Sequence, residues 1–277
     1  MARRFEKKTV IVTGASSGIG ESAARMFAAE GANVVLAARS GDALERLAAQ
    51  ITAEGGVALA VPTDVADTGA CAALLEAAQA RFGAIHILVN NAGYNFRGAV
   101  EEAPAEELAR ILDVNLKAPV VLTRMALPYL RRAGKAAIVN VASLAGRIPL
   151  PYEATYSASK FGLRAFTFAL AEELESTGIT VSAVSPGPVE TGFLLADVAE
   201  VPDLVFSQPM STAAEVAALV LDSAADGTLE RACPQVSGYL ATAGYLMPAI
   251  PKMLKPLLEY QGRAAKERYL EKLKTKG

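Results

Sequence analysis

Residues 9–20 read TVIVTGASSGIG, in which a β-rich run passes directly into a glycine-rich turn and then into an Ala-rich helical pattern. Glycine permits a tight turn and a close approach of another molecule to the backbone. The helix that begins there presents unpaired amides and partial positive charge, which suit a phosphate group. We therefore interpret the turn as a pyrophosphate-binding loop made of Gly14, Ser16, Ser17, Gly18, Ile19 and Gly20.

The rest of the chain continues this alternation. Further β-rich runs lie at residues 33–37, 57–62, 86–90, 136–141 and 179–185, and helical patterns separate them at 42–54, 67–82, 105–132 and 156–177. Near-continuous apolar strands between helices predict a single-domain, Rossmann-like doubly wound parallel sheet with helices on both faces. We expect residues 1–235 to form this α/β domain. Residues 236–277 are expected to form a C-terminal helical extension, packed on the domain or on a partner subunit.

Composition excludes several classes of protein. The chain has 277 residues, 52% of them hydrophobic, a net charge of -2 and 6% aromatics, so it lacks the basic, aromatic surface of a nucleic-acid-binding protein. Cys71 and Cys233 are far apart and His86 is the only histidine, which predicts neither disulfides nor a metal site. The expected setting is reduced and cytoplasmic. His86 lies in an apolar run and is interpreted as a packed strand residue.

No membrane span or signal peptide is expected. The charged start is followed by a short apolar run that Thr13 and Gly14 interrupt. The longest apolar stretch, residues 239–250, falls short of the roughly 20 residues that a spanning helix needs.

The second β-rich run decides between two dinucleotides. NAD-binding units carry a carboxylate after this strand, which binds the ribose 2′-hydroxyl. This chain has Arg39 and Ser40 there, and an arginine can form paired hydrogen bonds with a 2′-phosphate. The sequence therefore predicts NADP(H), with NAD(H) as the alternative.

Polar residues also end the third and fourth β-rich runs. Asp64, followed by Val65, is placed near the adenine, and the segment Asn91-Ala92-Gly93 along the ribose. Ordinary turn chemistry explains these residues equally well.

A Tyr and a Lys one helical turn apart, Tyr156 and Lys160, are candidates for chemistry. A tyrosine has a pKa of about 10, so its action as a base near neutral pH needs a drop of roughly 3 units, which a nearby positive charge can supply. Ser143 adds a hydroxyl able to bind a carbonyl oxygen, and Asn115 adds an amide in the middle of a helical pattern. Taken singly, Ser143 is also read as a cap and Asn115 as a buried amide.

Together these segments resemble the short-chain dehydrogenase/reductase family over roughly residues 7–195. The shared motifs are TGxxxGxG at residues 13–20, NNAG at 90–93, Asn115, Ser143, and YxxxK at 156–160, in the family's order. The resemblance implies hydride transfer between a nicotinamide and a carbonyl carbon, with Tyr156 as the acid/base and Ser143 orienting the carbonyl oxygen. It implies that Lys160 holds the nicotinamide ribose and lowers the tyrosine pKa, and that Asn115 supports a relay water.

The resemblance continues into the segment after the sixth β-rich run. In the family, residues of this segment border the nicotinamide. The resemblance therefore implies the same position for Pro186, Gly187, Val189 and Thr191 of this chain.

The substrate end departs from the family. Residues 192–210, where the family keeps its substrate loop, are rich in apolar side chains such as Phe193, which predicts an apolar or lipid-like substrate against Ser143, Tyr156 and Phe193. Many members end after an Asp-Gly-Gly turn, whereas this chain continues with an apolar segment at 239–260 and a basic tail. That extension is expected to pack on its own or a partner subunit; covering the cleft or peripheral contact with a membrane surface are alternatives.

The helix after Tyr156 is apolar nearly all round, with Phe161 and Phe168 almost opposite Leu163 and Leu170. Such a helix is buried on two sides, which predicts a homodimer or homotetramer.

The predicted function is NADP(H)-dependent reduction of a carbonyl, or oxidation of a secondary alcohol. One alternative is an NAD-dependent dehydrogenase of a hydroxylated lipid or steroid. The other is a catalytically idle dinucleotide-binding scaffold, which has no need of all four candidate catalytic residues.

Overall fold

A computed structural model describes residues 3–195, 198 and 201–274. Its strands are β1 (Thr9–Thr13), β2 (Asn33–Ala38), β3 (Val57–Pro62), β4 (Ile87–Asn90), β5 (Ala136–Val141), β6 (Ile179–Pro186), β7 (Val189–Glu190), β8 (Ser211–Thr212) and β9 (Glu230–Cys233). Its α-helices are α1 (Gly18–Ala29), α2 (Gly41–Ala53), α3 (Thr68–Phe82), α4 (Ala105–Leu112), α5 (Ala118–Ala133), α6 (Ala154–Glu173), α7 (Gly192–Leu195), α8 (Asp203–Phe206), α9 (Ala213–Asp226), α10 (Gln235–Leu246) and α11 (Ala249–Lys274).

Within these ranges, seven strands form one parallel sheet in the order β3-β2-β1-β4-β5-β6-β9, and β7 pairs separately with β8. Helices pack on both faces, which confirms the predicted Rossmann-like doubly wound fold. The predicted strands at residues 9–13, 57–62 and 136–141 are confirmed to the residue, and the other three lie within one residue of their expected bounds.

Alternate residues of the central strands feed two hydrophobic cores, one on each face of the sheet. On one face Val10 packs with Phe27 of α1 and Val220 of α9. On the other face Ile11 packs with Leu122 of α5 and its neighbours. Because both faces are buried, the polar residues that carry chemistry lie at the strand ends.

The carboxyl ends of β1 and β4 form the switch point of the sheet. From β1 the strand order runs outward to β2 and β3 on one side, and from β4 to β5, β6 and β9 on the other. The connections on the two sides leave in opposite directions, so a crevice opens between them where ligands bind in such folds.

The long helix predicted at residues 105–132 is interrupted. Residues Asp113–Lys117 form a π-helical turn between α4 and α5. The fully buried Asn115 lies in this turn, where its Nδ2 donates to the Tyr94 carbonyl at 2.8 Å and its Oδ1 accepts from the Tyr94 amide at 3.0 Å. The wider turn thus accompanies a side chain that binds the backbone of another segment, as π-turns at functional sites do.

The C-terminal region is helical, as expected. α10 follows β9 directly, and the second half of α11 packs on α8, where Lys266 donates to the Val201 carbonyl at 2.7 Å and the rings of Phe206 and Tyr269 lie 6.1 Å apart. The first half of α11 is largely exposed. Within the described part of the chain, no helix is both long enough and apolar enough to cross a membrane.

Helix α6 packs on the sheet through buried residues such as Leu163 and Leu170. Its opposite side is partly covered by α10, where the Tyr245 ring lies 5.3 Å from that of Phe161, whereas Phe168 is contacted by Arg164 of α6 itself, with the guanidinium 4.5 Å from the ring centre. The sequence predicts that both sides of α6 are buried, and contacts within one chain account for part of that burial. The dimer stays a prediction.

Candidate active site

A cavity of about 2110 Å³ lies at the carboxyl ends of the central strands. The glycine-rich turn after β1 lines one end, where Gly14 stands. Tyr156 and Ser143 line its middle, and apolar residues of α10 and α11, such as Leu240 and Leu254, line the other end. The cavity therefore joins a polar groove to an apolar chamber.

The glycine-rich turn is held against the segment after β4. Thr13 Oγ1 accepts from the amides of Asn91 at 2.9 Å and Ala92 at 3.0 Å, while Asn91 Nδ2 donates to the Thr13 carbonyl at 2.9 Å. Gly14 has φ +67°, and a Cβ there would lie 2.8 Å from Asn91 Nδ2 and 2.9 Å from Ala92 Cα. Only glycine satisfies both the dihedral angle and the space.

The first turn of α1 faces the groove with unpaired amides. Ser17 is the N-cap residue, and its side chain makes no capping hydrogen bond. Gly18 has φ +59°, and a Cβ there would lie 3.2 Å from Thr191 Cγ2. The turn therefore fits the pyrophosphate of a dinucleotide, with helix amides as donors and little side-chain bulk in the way.

Gly20 stands apart from the other loop residues predicted to bind the cofactor. It does not line the cavity, and a Cβ at Gly20 would overlap the Gly14 carbonyl oxygen. Its place in the structure is close packing of α1 beneath the turn.

Charged residues surround the groove beyond β2 and β3. Arg39 and Ser40 are exposed and line it. Asp64 Oδ1 accepts from the Ala66 amide at 3.0 Å and Oδ2 from Arg110 Nη2 at 2.8 Å. The bond from Ala66 and the charge of Arg110 keep the Asp64 pKa below its ordinary value. Arg110, on α4, is a residue that the sequence patterns did not indicate.

Ser143 and Tyr156 meet at the centre of the cavity. Their hydroxyl groups are hydrogen-bonded to each other, and Ser143 Oγ also accepts from the Ala145 amide at 3.0 Å, so it caps the 3-10 turn Leu144–Gly146. Burial raises the Tyr156 pKa to about 12, although the bond with Ser143 lowers it. The lowered tyrosine pKa expected from the sequence is thus not found in the chain alone, because burial outweighs the neighbouring groups.

Lys160 lies beside this pair. Its Nζ is 5.7 Å from the centre of the Tyr156 ring and donates to the Val141 carbonyl at 2.9 Å, while burial lowers its pKa to about 8. A Cβ at Gly93 would lie 3.6 Å from Lys160 Nζ and 3.1 Å from Asn115 Oδ1. Asn115 does not line the cavity; it lies behind Gly93 and holds Tyr94.

A buried ion pair borders the tyrosine and was not foreseen from the sequence. Arg97 Nε donates to Glu153 Oε1 at 3.1 Å, and the two side chains are 13% and 6% exposed. Burial raises the Glu153 pKa, although Arg97 lowers it. Glu153 precedes Tyr156 by three residues, a helical spacing that was available as a signal, whereas nothing local indicated Arg97.

The cavity brings together most of the predicted residues. Those that line it are Gly14, Ser16, Ser17, Gly18, Ile19, Arg39, Ser40, Asp64, Val65, Asn91, Ala92, Gly93, Ser143, Tyr156, Lys160, Pro186, Gly187, Val189 and Thr191. The side chain of Phe193, predicted to contact substrate, lies outside the described residues. His86 accepts a hydrogen bond from the Thr9 amide at 3.0 Å, away from the cavity, but it lies just before β4 and is half-buried, so the packed strand residue expected from the sequence is not found.

Comparison with known proteins identifies the family of the chain. The short chain dehydrogenase family model matches residues 8–200. The chain is 41% identical to ketoacyl reductase HetN of Nostoc sp. over 208 residues, which is 74% of this chain and 72% of that protein. It is 36% identical to dehydrogenase/reductase SDR family member 7B of Bos taurus over 192 residues, 67% of this chain and 59% of the bovine protein.

Solved structures agree. L-sorbose reductase from Gluconobacter frateurii, in complex with NADPH and L-sorbose, superposes with a TM-score of 0.78 at 29% identity over 84% of this chain and 97% of that one. A short-chain type dehydrogenase/reductase from Mycobacterium marinum gives a TM-score of 0.75 at 30% identity over 82% of this chain and 94% of that one. The sheet, the cavity at its carboxyl ends and the match over residues 8–200 place this chain in the short-chain dehydrogenase/reductase family of oxidoreductases.

Proposed function

We propose that the chain reduces carbonyl compounds that carry an apolar group, with NADPH as the hydride donor and Tyr156 as the acid. The observation that carries the proposal is the hydrogen-bonded pair of hydroxyls on Ser143 and Tyr156. This pair stands between the groove at the glycine-rich turn and the apolar chamber. A carbonyl oxygen placed between the two hydroxyls has a donor on each side.

When bound, NADPH supplies a hydride for the carbonyl carbon. Ser143 donates a hydrogen bond to the carbonyl oxygen and polarises it, and Tyr156 gives its proton to the same oxygen. Burial keeps the Tyr156 pKa at about 12, so the phenol is protonated at neutral pH, as reduction requires. Lys160, 5.7 Å from the ring centre, stabilises the phenolate that forms. Alcohol oxidation uses the same steps in reverse.

Asn115 and Asp64 have supporting roles in this proposal. Asn115 holds the Tyr94 backbone beside Gly93 and supports a water that returns a proton toward Lys160. Asp64, fixed by Arg110, lies in the part of the groove assigned to the adenine.

Arg39 is proposed to select NADP(H) over NAD(H). Its exposed guanidinium lines the groove one residue past β2, where a 2′-phosphate would be reached. A lost charged hydrogen bond corresponds to about 1.5–3 kcal/mol, so Arg39→Ala should weaken NADPH binding by roughly 10- to 150-fold and leave NADH binding unchanged. Arg46→Ala removes an exposed arginine that does not line the cavity and serves as the matched control. Equal losses for both dinucleotides in Arg39→Ala would contradict this role.

The substrate is proposed to be apolar because the chamber beyond Tyr156 is. Its lining is rich in aliphatic side chains, including Leu144, Ile148, Leu240, Leu254 and Leu258. The similar Nostoc protein is named a ketoacyl reductase and the similar Gluconobacter structure holds L-sorbose, so the relatives span acyl and sugar substrates.

A panel of ketones, aldehydes, acyl thioesters and sugars tests the proposal, with NADPH consumption as the readout. Catalytic efficiency should rise along each series of lengthening alkyl chains and should fall strongly in Ser143→Ala. No NADPH consumption with any member, or a preference for sugars over alkyl ketones, would contradict it.

We also propose that residues 236–277 serve as an appended cover of the cavity and that α6 takes part in a homodimer or homotetramer. Light scattering at micromolar concentration tests the oligomer, which a monomer would contradict.

A further inference from the structure

The ion pair between Arg97 and Glu153 forms part of the cavity wall. Arg97 Nε donates to Glu153 Oε1 at 3.1 Å, and both residues line the cavity together with Tyr156. Because the two side chains are 13% and 6% exposed, both charges are largely removed from water. Replacing a buried ion pair by apolar residues of similar volume is often neutral or stabilising. Stability alone therefore does not explain the pair.

The carboxylate of Glu153 is directed away from its own helix. Glu153 is the N-cap residue of α6, a position where a side-chain oxygen ordinarily accepts from the free amides of the first turn. Its side chain makes no such capping bond and accepts from Arg97, in the segment between β4 and α4. The first turn of α6, which carries Tyr156, is thus tied to a distant segment of the chain.

The backbone before Glu153 supports the same contact. Tyr152 has φ +64°, a left-handed conformation that is unfavourable for a residue other than glycine. Its carbonyl accepts from the amide of Gly98, the residue after Arg97, at 3.0 Å. An unfavourable backbone conformation therefore accompanies the meeting of the two segments, as is common at functional sites.

The two charges act on the Tyr156 hydroxyl in opposite directions. Burial raises the Tyr156 pKa to about 12 and the bond with Ser143 lowers it; of the two charges, Glu153 raises the pKa and Arg97 lowers it. Lys160, one turn further along α6, adds a cation 5.7 Å from the ring centre. The state of the pair thus bears directly on whether the phenol holds its proton.

Other titratable residues reach the cavity wall from further elements. They are Tyr94 from the segment after β4, Glu107 and Arg110 from α4, Tyr245 from α10, and Lys252 and Lys255 from α11. These residues are the same in every variant compared below, so a difference between the variants reports on the pair.

We propose that Glu153 and Arg97 are positioning residues for Tyr156, whose paired charges keep its hydroxyl protonated and so favour carbonyl reduction over alcohol oxidation. The proposal rests on the proposed role of Tyr156 as the acid/base. Without the carboxylate, the Arg97 charge stabilises the phenolate, which is the form that accepts a proton in oxidation. With the carboxylate in place, the pair is neutral as a whole and burial keeps the phenol protonated.

Tyrosine ionisation in the cofactor-free protein tests the proposal without turnover. Tyrosinate absorbance is recorded after rapid jumps to alkaline pH, where Glu153 is ionised. Because the chain has eight tyrosines, the same titration with Tyr156→Phe in each background is subtracted. Glu153→Gln should lower the Tyr156 midpoint by about 0.5–1.5 pH units, the effect of one charge about 8–10 Å away at an effective dielectric constant of about 20–40. Arg97→Met should raise the midpoint.

The pH profile of alcohol oxidation makes the same comparison in the working enzyme. In this direction Tyr156 accepts a proton, so the rate rises with pH as the phenol ionises. Glu153→Gln should move this rise to lower pH, and Glu153→Gln/Arg97→Met should recover most of the change. Glu153→Asp, which keeps the charge, should stay close to wild type. Glu173→Gln is the matched control, because it removes an exposed carboxylate at the last residue of α6.

Two results would overturn the proposal. The first is a Tyr156 midpoint in Glu153→Gln equal to that in Glu173→Gln. The second is a change of the midpoint in the same direction in Glu153→Gln and Arg97→Met, which would make the role of the pair purely structural.

Thermal melting verifies that each variant is folded. If Glu153→Gln does not fold, the Arg97→Met titration decides, and a midpoint that is unchanged or lowered there overturns the proposal. Failure of the proposed function is distinguishable, because it would appear as unchanged turnover in Tyr156→Phe, whereas the absorbance titration needs no turnover.

Discussion

Glu230 joins four elements around the site, and its removal has a calculable cost. Its carboxylate accepts from Arg164 Nη2 at 2.9 Å, from Arg147 Nε at 3.0 Å and from Ser185 Oγ at 2.8 Å. Arg147 also donates to the Gly238 carbonyl at 3.2 Å. The cluster therefore ties β9 and β6 to α6, to the turn after Ser143 and to α10. The three charged side chains are 8–28% exposed, so they are largely desolvated.

Glu230→Gln removes the negative charge and leaves two guanidinium groups facing each other. Removing one partner of a buried ion pair costs about 3–5 kcal/mol, and the partial exposure of Arg164 favours the lower figure. About 3 kcal/mol corresponds to a melting temperature lower by roughly 6–12 °C for a chain of this size. Urea unfolding and thermal melting measure it, with the exposed Glu175→Gln as control.

The difference should also depend on pH. Burial raises the Glu230 pKa, but the bonds from Arg164 and Ser185 and the charges of both arginines outweigh it, so the pKa lies below its ordinary value of 4.5. The carboxylate therefore adds stability above about pH 4.5, and this is lost as the pH falls through the folded-state pKa. The difference in melting temperature between wild type and Glu230→Gln should therefore become smaller as the pH falls through that range. A Glu230→Gln melting temperature within about 1–2 °C of wild type at neutral pH would refute the reasoning. A difference in melting temperature that grows in acid would refute it as well.

Three further changes test other parts of the structure. Gly20→Ala places a methyl group against the Gly14 carbonyl oxygen, so it should cost about 1–3 kcal/mol of stability and weaken NADPH binding. A melting temperature and an NADPH dissociation constant that calorimetry finds equal to those of wild type would contradict this packing. Asn140→Ala removes two buried hydrogen bonds, the one from Asn90 Nδ2 to Asn140 Oδ1 at 2.8 Å and the one from Asn140 Nδ2 to Thr167 Oγ1 at 2.8 Å. It should cost about 1–3 kcal/mol in urea unfolding, more than an Asn33→Ala change at a half-buried position. Burial lowers the Lys160 pKa from 10.5 to about 8, so the unfolded chain binds more protons between these values and wild type gains stability there. The free energy of unfolding of Lys160→Met should exceed that of wild type by less at pH 10.5 than at pH 8. A difference that stays constant between these pH values would contradict the lowered Lys160 pKa.

The features predictable from the sequence are those that depend on near neighbours in the chain. The strand at residues 9–13 and the turn after it are specified by β-rich residues followed by glycines, and the structure has both. Tyr156 and Lys160 share a helix face because four residues make about one turn. Ser143 follows β5 by two residues, so the strand end alone places it near the carboxyl edge.

The features that were missed depend on contacts between distant segments. The π-helical turn at Asn115 accompanies bonds to Tyr94, which no helical periodicity reveals. Arg97 and Glu153 pair across 56 residues, and α10 and α11 reach the cavity only because β9 ends at its rim. The Tyr156 pKa was expected to fall, because a sequence shows the nearby lysine but not the burial that opposes it.

Tyr156→Phe tests the central claim most directly, because it removes one oxygen and keeps the ring. With the best carbonyl substrate of the panel, the turnover number should fall about 100- to 10,000-fold, the range that general acid catalysis contributes, while the NADPH dissociation constant stays within about twofold of wild type. Turnover within about tenfold of wild type, with NADPH binding intact, would show that the carbonyl oxygen receives its proton from another group.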